Sequence, residues 1–315
     1  MNVSRVMQGA SDCAAPAPAV GLRVVLAFAA IYFLWGATFL AIRIAVLEVP
    51  PLFASGVRFL IAGALLYVFM RLRGQPGPSA AEWRSSGLIA LCMFVATYGA
   101  LFWAEQYVSS GITAVIEATL PITTATFEVF VFRQQAFRWR VAAAVALGFA
   151  GVAALLIRSD PQTLPLLPCL AILAGGVAWS LGAVLTRSMP RPQSVPLAAG
   201  AQMMLGGTVL LGLSQLSGEL QSLPHVSLRA GLALSYLVIA GSLLGFTAYV
   251  WLLARMPATR VASHAYVNPL VAVALGYFLA GEVLTVRMIL AAALIVASVL
   301  LLLTAPAAYG RRVTS

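Results

Sequence analysis

The stretch Trp35–Arg43, WGATFLAIR, recurs as Trp179–Arg187, WSLGAVLTR, 144 residues further along the chain. Each begins with a tryptophan and ends with an arginine eight residues later. The correspondence continues outward from this pair. Pro51-Leu52 opens the next apolar stretch and Pro196-Leu197 opens its counterpart; Trp103 answers Trp251, and Pro121 answers Pro269, at shifts of 145, 148 and 148 residues. Tryptophan and proline are punctuation in apolar helices rather than filler, so a nearly constant shift argues for an internal duplication.

The composition says what surrounds these helices. Of 315 residues, 62% are hydrophobic and 9% charged, and the mean hydropathy is +0.97. A soluble domain carries about 25% charged residues. Too few charges remain here to build a water-facing surface, so the solvent is lipid. A helix crossing hydrocarbon needs about 20 apolar residues. Such spans are expected near Val24–Val46, Leu52–Met70, Ser86–Trp103, Gly111–Phe132, Trp139–Ile157, Leu166–Thr186, Val195–Leu216, Leu228–Leu253, Val261–Ala280 and Met288–Leu303. Pro50-Pro51, Pro76-Gly77-Pro78, Asp160-Pro161 and Pro190-Arg191-Pro192 mark connections between them. The first span exceeds the 7–15 residues of a signal-peptide core and is read as a retained helix.

A net charge of +10 can point to nucleic acid, but the pattern argues against it. The 19 basic residues are all arginine and occur in ones, twos and threes between apolar stretches. Counted on alternate sides of the ten spans, fourteen fall on one side and four (Arg43, Arg158, Arg229 and Arg287) on the other, with Arg58 inside span two. Arginine excess marks the cytoplasmic side. The expectation is a multi-pass inner-membrane protein with both termini cytoplasmic. Cys13, Cys92 and Cys169 suggest neither a disulfide framework nor a metal site.

Each repeat holds five spans, an odd number, so the second must enter the membrane upside down relative to the first. The fold expected is therefore an all-α integral membrane protein of ten transmembrane helices, arranged as two inverted-topology five-helix repeats. Residues 1–22 form an N-terminal tail, 23–158 the first repeat, 165–304 the second, and 305–315 a C-terminal tail. Inverted repeats suit alternating access, with a binding site near the midplane between the halves.

Three stretches carry a family resemblance: WGATFLAIRIAVLEVPPLFASGVRFLIAG, AEQYVSSGITAVIEATLPI and SHAYVNPLVAVALGYFLAGEVL. They resemble EamA-type members of the drug/metabolite transporter superfamily, in combination nearest to a YedA-like branch, over about residues 20–305. The resemblance implies two five-helix repeats, export of metabolites, amino acids or drug-like compounds, and no bound cofactor. The family's Gly-Glu after spans four and nine is matched by Gly281-Glu282, whereas the first repeat has Arg133-Gln134.

Span four is the most informative. Glu117 lies inside it, where a charge costs about 2.5–3.5 kcal/mol and so tends to mark a pathway. Glu128 is eleven residues on; at about 100° per residue it returns to within about 20° of the same face. A continuous helix would present a polar stripe of Glu117, Thr124 and Glu128 beside Pro121, whose missing N–H loosens the backbone there. Glu117 is open to two readings: a proton-titrating or cation-binding carboxylate, or a structural partner of Arg58. Arg58 is in turn either an anchor for an anionic group or, the preferred reading, the partner of a carboxylate. Glu128 is expected to pair with Arg133. In span nine, His264 and Asn268 are one turn apart and, with Tyr266 beside Pro269, form an expected cavity wall. Trp35 and Trp179 lie midway along their spans, where indoles line an apolar substrate cavity or simply pack.

Other mechanisms find little support. Without lysine there is no GxxxxGK[ST] loop for ATP and no Ser–Lys dyad. HExxH is absent, His225 and His264 are the only histidines, and Asp12 and Asp160 lie in polar segments. A secondary transporter of a small molecule, with the bilayer as its partner, proton coupling left open and no cofactor, metal or nucleic acid, is the expected function. An integral-membrane enzyme or channel without a soluble domain is the alternative.

Overall fold

The structure is a computed structural model that describes residues 21–108, 110–156, 165–222, 226–280 and 286–304. The two terminal tails up to Val20 and from Ala305, the Asp160-Pro161 connection with Arg158, His225, and Gly281-Glu282 lie outside the described residues. The described chain is helical, with no strand. That follows from the solvent: in hydrocarbon every backbone N–H and C=O must be satisfied internally.

Six helices are long and apolar enough to cross a membrane: α1 (Leu22–Val46), α2 (Pro51–Leu72), α3 (Ala80–Ala104), α7 (Leu166–Ser188), α8 (Val195–Leu216) and α9 (Leu228–Leu253). Between and after them come α4 (Ser110–Glu117), α5 (Leu120–Val131), α6 (Trp139–Leu156), α10 (Ala258–Val261), α11 (His264–Ala280) and α12 (Val286–Thr304). Their outward faces expose Phe33, Leu65, Phe69, Leu170 and Leu244, as a lipid-facing surface requires.

Local chemistry sets the ends. Ser79 and Glu82 form a capping box that starts α3. Pro51 starts α2 and Pro196 sits in the first turn of α8, where a missing N–H costs nothing. Both helices end just before a glycine in the left-handed region, Gly74 (φ 80°) and Gly218 (φ 81°). The two expected continuous spans Gly111–Phe132 and Val261–Ala280 are each broken. One break falls at Ala118-Thr119, three residues before Pro121; the other falls at Ala262-Ser263, ahead of Pro269. Ala118, Ala262 and Ser263 are buried, the only setting in which irregular backbone is tolerated at membrane depth.

α2 and α8 pack against each other through glycines. Gly56 faces Gly207 and Leu211, and Gly63 faces Gly200 and Met204. As residue number rises along α2 it falls along α8, so the two helices are antiparallel. A Cβ on Gly63 would strike the Met204 backbone nitrogen, and one on Gly207 would strike that of Leu60. Small residues permit this approach, and close packing replaces the hydrophobic drive that lipid removes.

Four helices contain π turns: Ala30–Leu34 in α1, Leu91–Ala96 in α3, Phe127–Val131 in α5 and Leu237–Phe246 in α9. Each such turn shifts the phase of the residues that follow and re-aims their side chains. The segments in α3 and α9 begin 146 residues apart, within the range of shifts that relates the sequence repeats.

The glycine seam makes a testable demand. Gly63→Val should lower stability by about 1–3 kcal/mol or more, because backbone cannot yield to a new side chain. Gly212→Ala in α8, where an added Cβ meets nothing, should leave stability unchanged or slightly raised. Melting temperatures of the purified variants in detergent would check both.

Candidate substrate site

A cavity of about 30 Å³ lies among α1, α3, α4, α7 and α11. Trp35 and Thr38 come from α1, Thr97 and Tyr98 from α3, Glu117 from the last turn of α4, Trp179 from α7, and His264 and Asn268 from α11. Local irregularities aim these groups inward. Trp35 directly follows the π turn of α1, and Thr97-Tyr98 directly follow that of α3. Glu117 ends a helix, and His264 begins one, at the two broken segments.

The walls are aromatic. The Trp35 ring lies 5.6 Å from Trp179, 5.1 Å from Tyr249 and 4.9 Å from His264, and Tyr98 lies 5.8 Å from Trp179. Most polar groups here are spoken for. Trp35 Nε1 donates to the Gly241 carbonyl at 2.9 Å, Thr38 Oγ1 to the Trp35 carbonyl at 2.7 Å, and Thr97 Oγ1 to the Gly175 carbonyl at 2.8 Å. His264 Nδ1 sits 3.0 Å from the Val261 carbonyl, which makes it the protonated nitrogen. Glu117 Oε1, Asn268 Oδ1 and Trp179 Nε1, by contrast, are buried with no hydrogen-bond partner. The space between these walls suits water or a small cation rather than an organic solute, since one water needs about 10–15 Å³.

Buried Glu128 and half-buried Glu219 and Glu48 are engaged, whereas both carboxylate oxygens of buried Glu105, just beyond α3, have no hydrogen-bond partner. Glu128 accepts from the Ala258 and Thr259 backbone N–H groups at 2.7 and 3.0 Å and from the Thr259 hydroxyl at 2.6 Å, capping α10. Arg187 Nε lies 3.8 Å from it, the one ion pair among the described residues. The expected partner Arg133 is exposed and occupies a left-handed turn beyond α5 (φ 51°). Glu219 accepts from the Leu52 and Phe53 N–H groups at 3.3 and 2.8 Å, capping α2 from the end of α8. Glu48, in the exposed turn after α1, takes the Ser227 hydroxyl and N–H, both at 2.9 Å. Those bonds hold its carboxyl below the ordinary glutamate range. The contact therefore stabilises at neutral pH and fades as pH falls through that lowered value.

Several expected placements change. The break at Ala118-Thr119 interrupts the helix that carries Glu117, Thr124 and Glu128, yet all three face α7, near Gly176, Ser180 and Arg187 in turn. Thr124 donates to Ser180 Oγ at 3.0 Å, beside Thr123 at 2.6 Å from the same oxygen, and does not line the cavity. Tyr266 points away from the cavity; its hydroxyl donates to the Val145 carbonyl at 2.9 Å, against Gly148 of α6. Arg58 is buried but forms no ion pair with Glu117. Its Nε donates to Ser242 at 2.9 Å, and its guanidinium lies 4.7 Å from the Phe59 ring and 5.0 Å from Tyr98, in space that Gly241 leaves open.

The sequence reading missed a pair of clamps. Arg43, at the end of α1, donates to the Glu105 carbonyl just beyond α3. Arg187, at the end of α7, donates to the Leu253 carbonyl at 3.1 Å and to that of Met256, at the end of α9. The donors are 144 residues apart, and the acceptors Glu105 and Leu253 are 148 apart. The two arginines of the opening motif thus make the same bond. Their matching position in the repeat was the available signal; counting them only as topology charges hid it.

Comparison with known proteins identifies the family. The EamA-like transporter family model matches residues 22–157 and again 166–304. The Escherichia coli K12 protein "Uncharacterized inner membrane transporter YedA" is 38% identical over 276 residues, 86% of this chain and 88% of the relative. The Salmonella typhimurium "Probable amino-acid metabolite efflux pump" is 25% identical, covering 84% of this chain and 89% of the relative. A solved crystal structure matches with a TM-score of 0.70 at 19% identity, over 88% of this chain and 95% of that one, a likeness of fold alone. The chain belongs to the EamA-like transporter family and is a multi-pass transporter of the inner membrane.

Proposed function

We propose that the chain is a secondary transporter that exports a small metabolite, amino acid or drug-like compound by alternating access, through ten spans arranged as two inverted five-helix repeats, 23–158 and 165–304. In this reading α4 and α5 together make span four, α10 and α11 make span nine, and both termini are cytoplasmic. The observation that carries it is the pair of equivalent clamps: Arg43 ties α1 to the end of α3, and Arg187 ties α7 to the end of α9. With the halves upside down to each other, the two clamps close opposite faces of the membrane, and the cavity lies between them. The antiparallel packing of the repeat-related helices α2 and α8 supports the inversion. A cavity near 30 Å³ then corresponds to an occluded state with both clamps made. Opening one side needs its clamp to break and the broken helices at Ala118-Thr119 or Ala262-Ser263 to swing.

Within that cycle Glu117 is the coupling carboxylate. It has no arginine partner, one of its oxygens is unbonded, and it shares the void with Asn268 and His264. A buried carboxylate in this state is uncompensated. A proton or a cationic group of the substrate relieves that cost, and the two can exchange. Trp35, Trp179 and Tyr98 supply apolar, π-rich walls for the rest of the solute.

Two measurements test this. A compound identified by thermal stabilisation of the purified protein should show saturable counterflow in proteoliposomes. Glu117→Gln should reduce pH-gradient-driven flux of that compound at least about tenfold while the protein remains folded; an unchanged rate and pH profile would remove Glu117 from the mechanism. For the clamps, a reporter cysteine at the cavity (Thr38→Cys, with Cys13, Cys92 and Cys169 replaced) should be modified several-fold faster from the cytoplasmic side once Arg187 is changed to Ala. The change Arg43→Ala should accelerate modification from the opposite side instead. Equal effects from both sides would contradict the assignment.

A further inference from the structure

A larger cavity, about 430 Å³, lies away from the central one, between α5, α6 and α10. Val129, Phe130, Phe137, Val145 and Phe149 give it an apolar floor, and Phe130 and Phe137 are more than half exposed, so it opens outward. Three charged residues face it: Glu128, Arg138 and Arg260. Glu128 is already committed to the N-terminus of α10 and to Arg187. Arg138 and Arg260 make no ion pair among the described residues, and Arg260 lies close enough to feel the repulsion of Arg138 as well as the attraction of Glu128.

We propose that this cleft binds an anionic phospholipid, with the phosphate between Arg138 and Arg260 and an acyl chain along the phenylalanine-lined groove. Two like charges beside an apolar groove complement an amphipathic anion, and the surrounding bilayer supplies one at high local concentration. Basic pockets between membrane helices hold anionic headgroups by this combination. A zwitterionic lipid fits less well, because its ammonium would add a third positive charge to the site. The bound lipid would stabilise the junction of α5 and α10, which Glu128 also holds. This inference stands independently of the transport cycle.

The test uses the full-length protein, purified in neutral detergent and supplied with dioleoyl phosphatidylglycerol or dioleoyl phosphatidylcholine. Native mass spectrometry and the melting temperature report binding. Phosphatidylglycerol should be retained and should raise the melting temperature, and phosphatidylcholine should do neither. The double change Arg138→Gln/Arg260→Gln should weaken phosphatidylglycerol retention about thirtyfold, whereas Arg140→Gln, at a neighbouring exposed arginine, should not. Equal retention of both lipids by the wild type would overturn the proposal without recourse to any variant. Undiminished retention by the folded double variant would also overturn it, as would equal stabilisation by glycerol 3-phosphate alone, the mark of a soluble-anion site.

Discussion

The backbone contact between α2 and α8 is the constraint from which the rest of the arrangement follows. In water two helices are driven together by the surface they hide; in lipid that drive is absent, and contact distance decides. Gly56 and Gly63 on one helix and Gly200 and Gly207 on the other remove the side chains that would hold the backbones apart. The seam joins a helix of the N-terminal repeat to its counterpart in the C-terminal repeat, and it joins them head to tail. Glu219 closes one end of this seam by capping α2 from the turn after α8. With that relation fixed, Arg43 and Arg187 fall at opposite ends of the molecule in the proposed inverted arrangement.

Two acidic side chains serve the scaffold. Glu128 and Glu219 each take several donors at a helix N-terminus, where the backbone leaves N–H groups without intrahelical partners. Arg58 is held by a hydroxyl and two aromatic faces. Glu117 Oε1, like both oxygens of Glu105, has no such donor. Glu117 sits where a helix stops, next to the orphaned oxygen of Asn268, in a void large enough for water. Glu105 is a second buried carboxylate without such donors, but Glu117 is the one that lines the void. An uncompensated carboxylate is what a proton- or cation-exchanging step requires.

Much of this was legible in the sequence. Apolar length gave the membrane helices, and α8 and α9 coincide with the expected spans from first to last residue. Pro121 pointed to loosened backbone, and the break at Ala118-Thr119 lies beside it, whereas Pro269 sits inside α11, six residues past the other break. The polar stripe in span four was read through a continuous helix; Glu117, Thr124 and Glu128 all face α7, but only Glu117 lines the cavity, while Thr124 is bonded to Ser180 and Glu128 to Ala258 and Thr259. Tyr266 was lost to the cavity because a hydroxyl one turn from Pro269 found a carbonyl on α6 instead. The π turns that aim Trp35 and Thr97 leave no mark in residue type, since Ala30–Leu34 and Leu91–Ala96 read as ordinary apolar helix. The clamps were visible as a motif, but their acceptors are main-chain carbonyls, which no sequence pattern names.

The central claim is that equivalent loops of the two repeats face opposite sides of the membrane. Single cysteines at Leu47 and Gln193, and at Gln75 and Gln221, introduced into a cysteine-free chain, report this directly through a membrane-impermeant maleimide applied to right-side-out vesicles. The inverted arrangement predicts labelling at positions 47 and 221 and protection at 75 and 193 until the membrane is opened. Labelling of 47 together with 193, or of 75 together with 221, from the same side would contradict it.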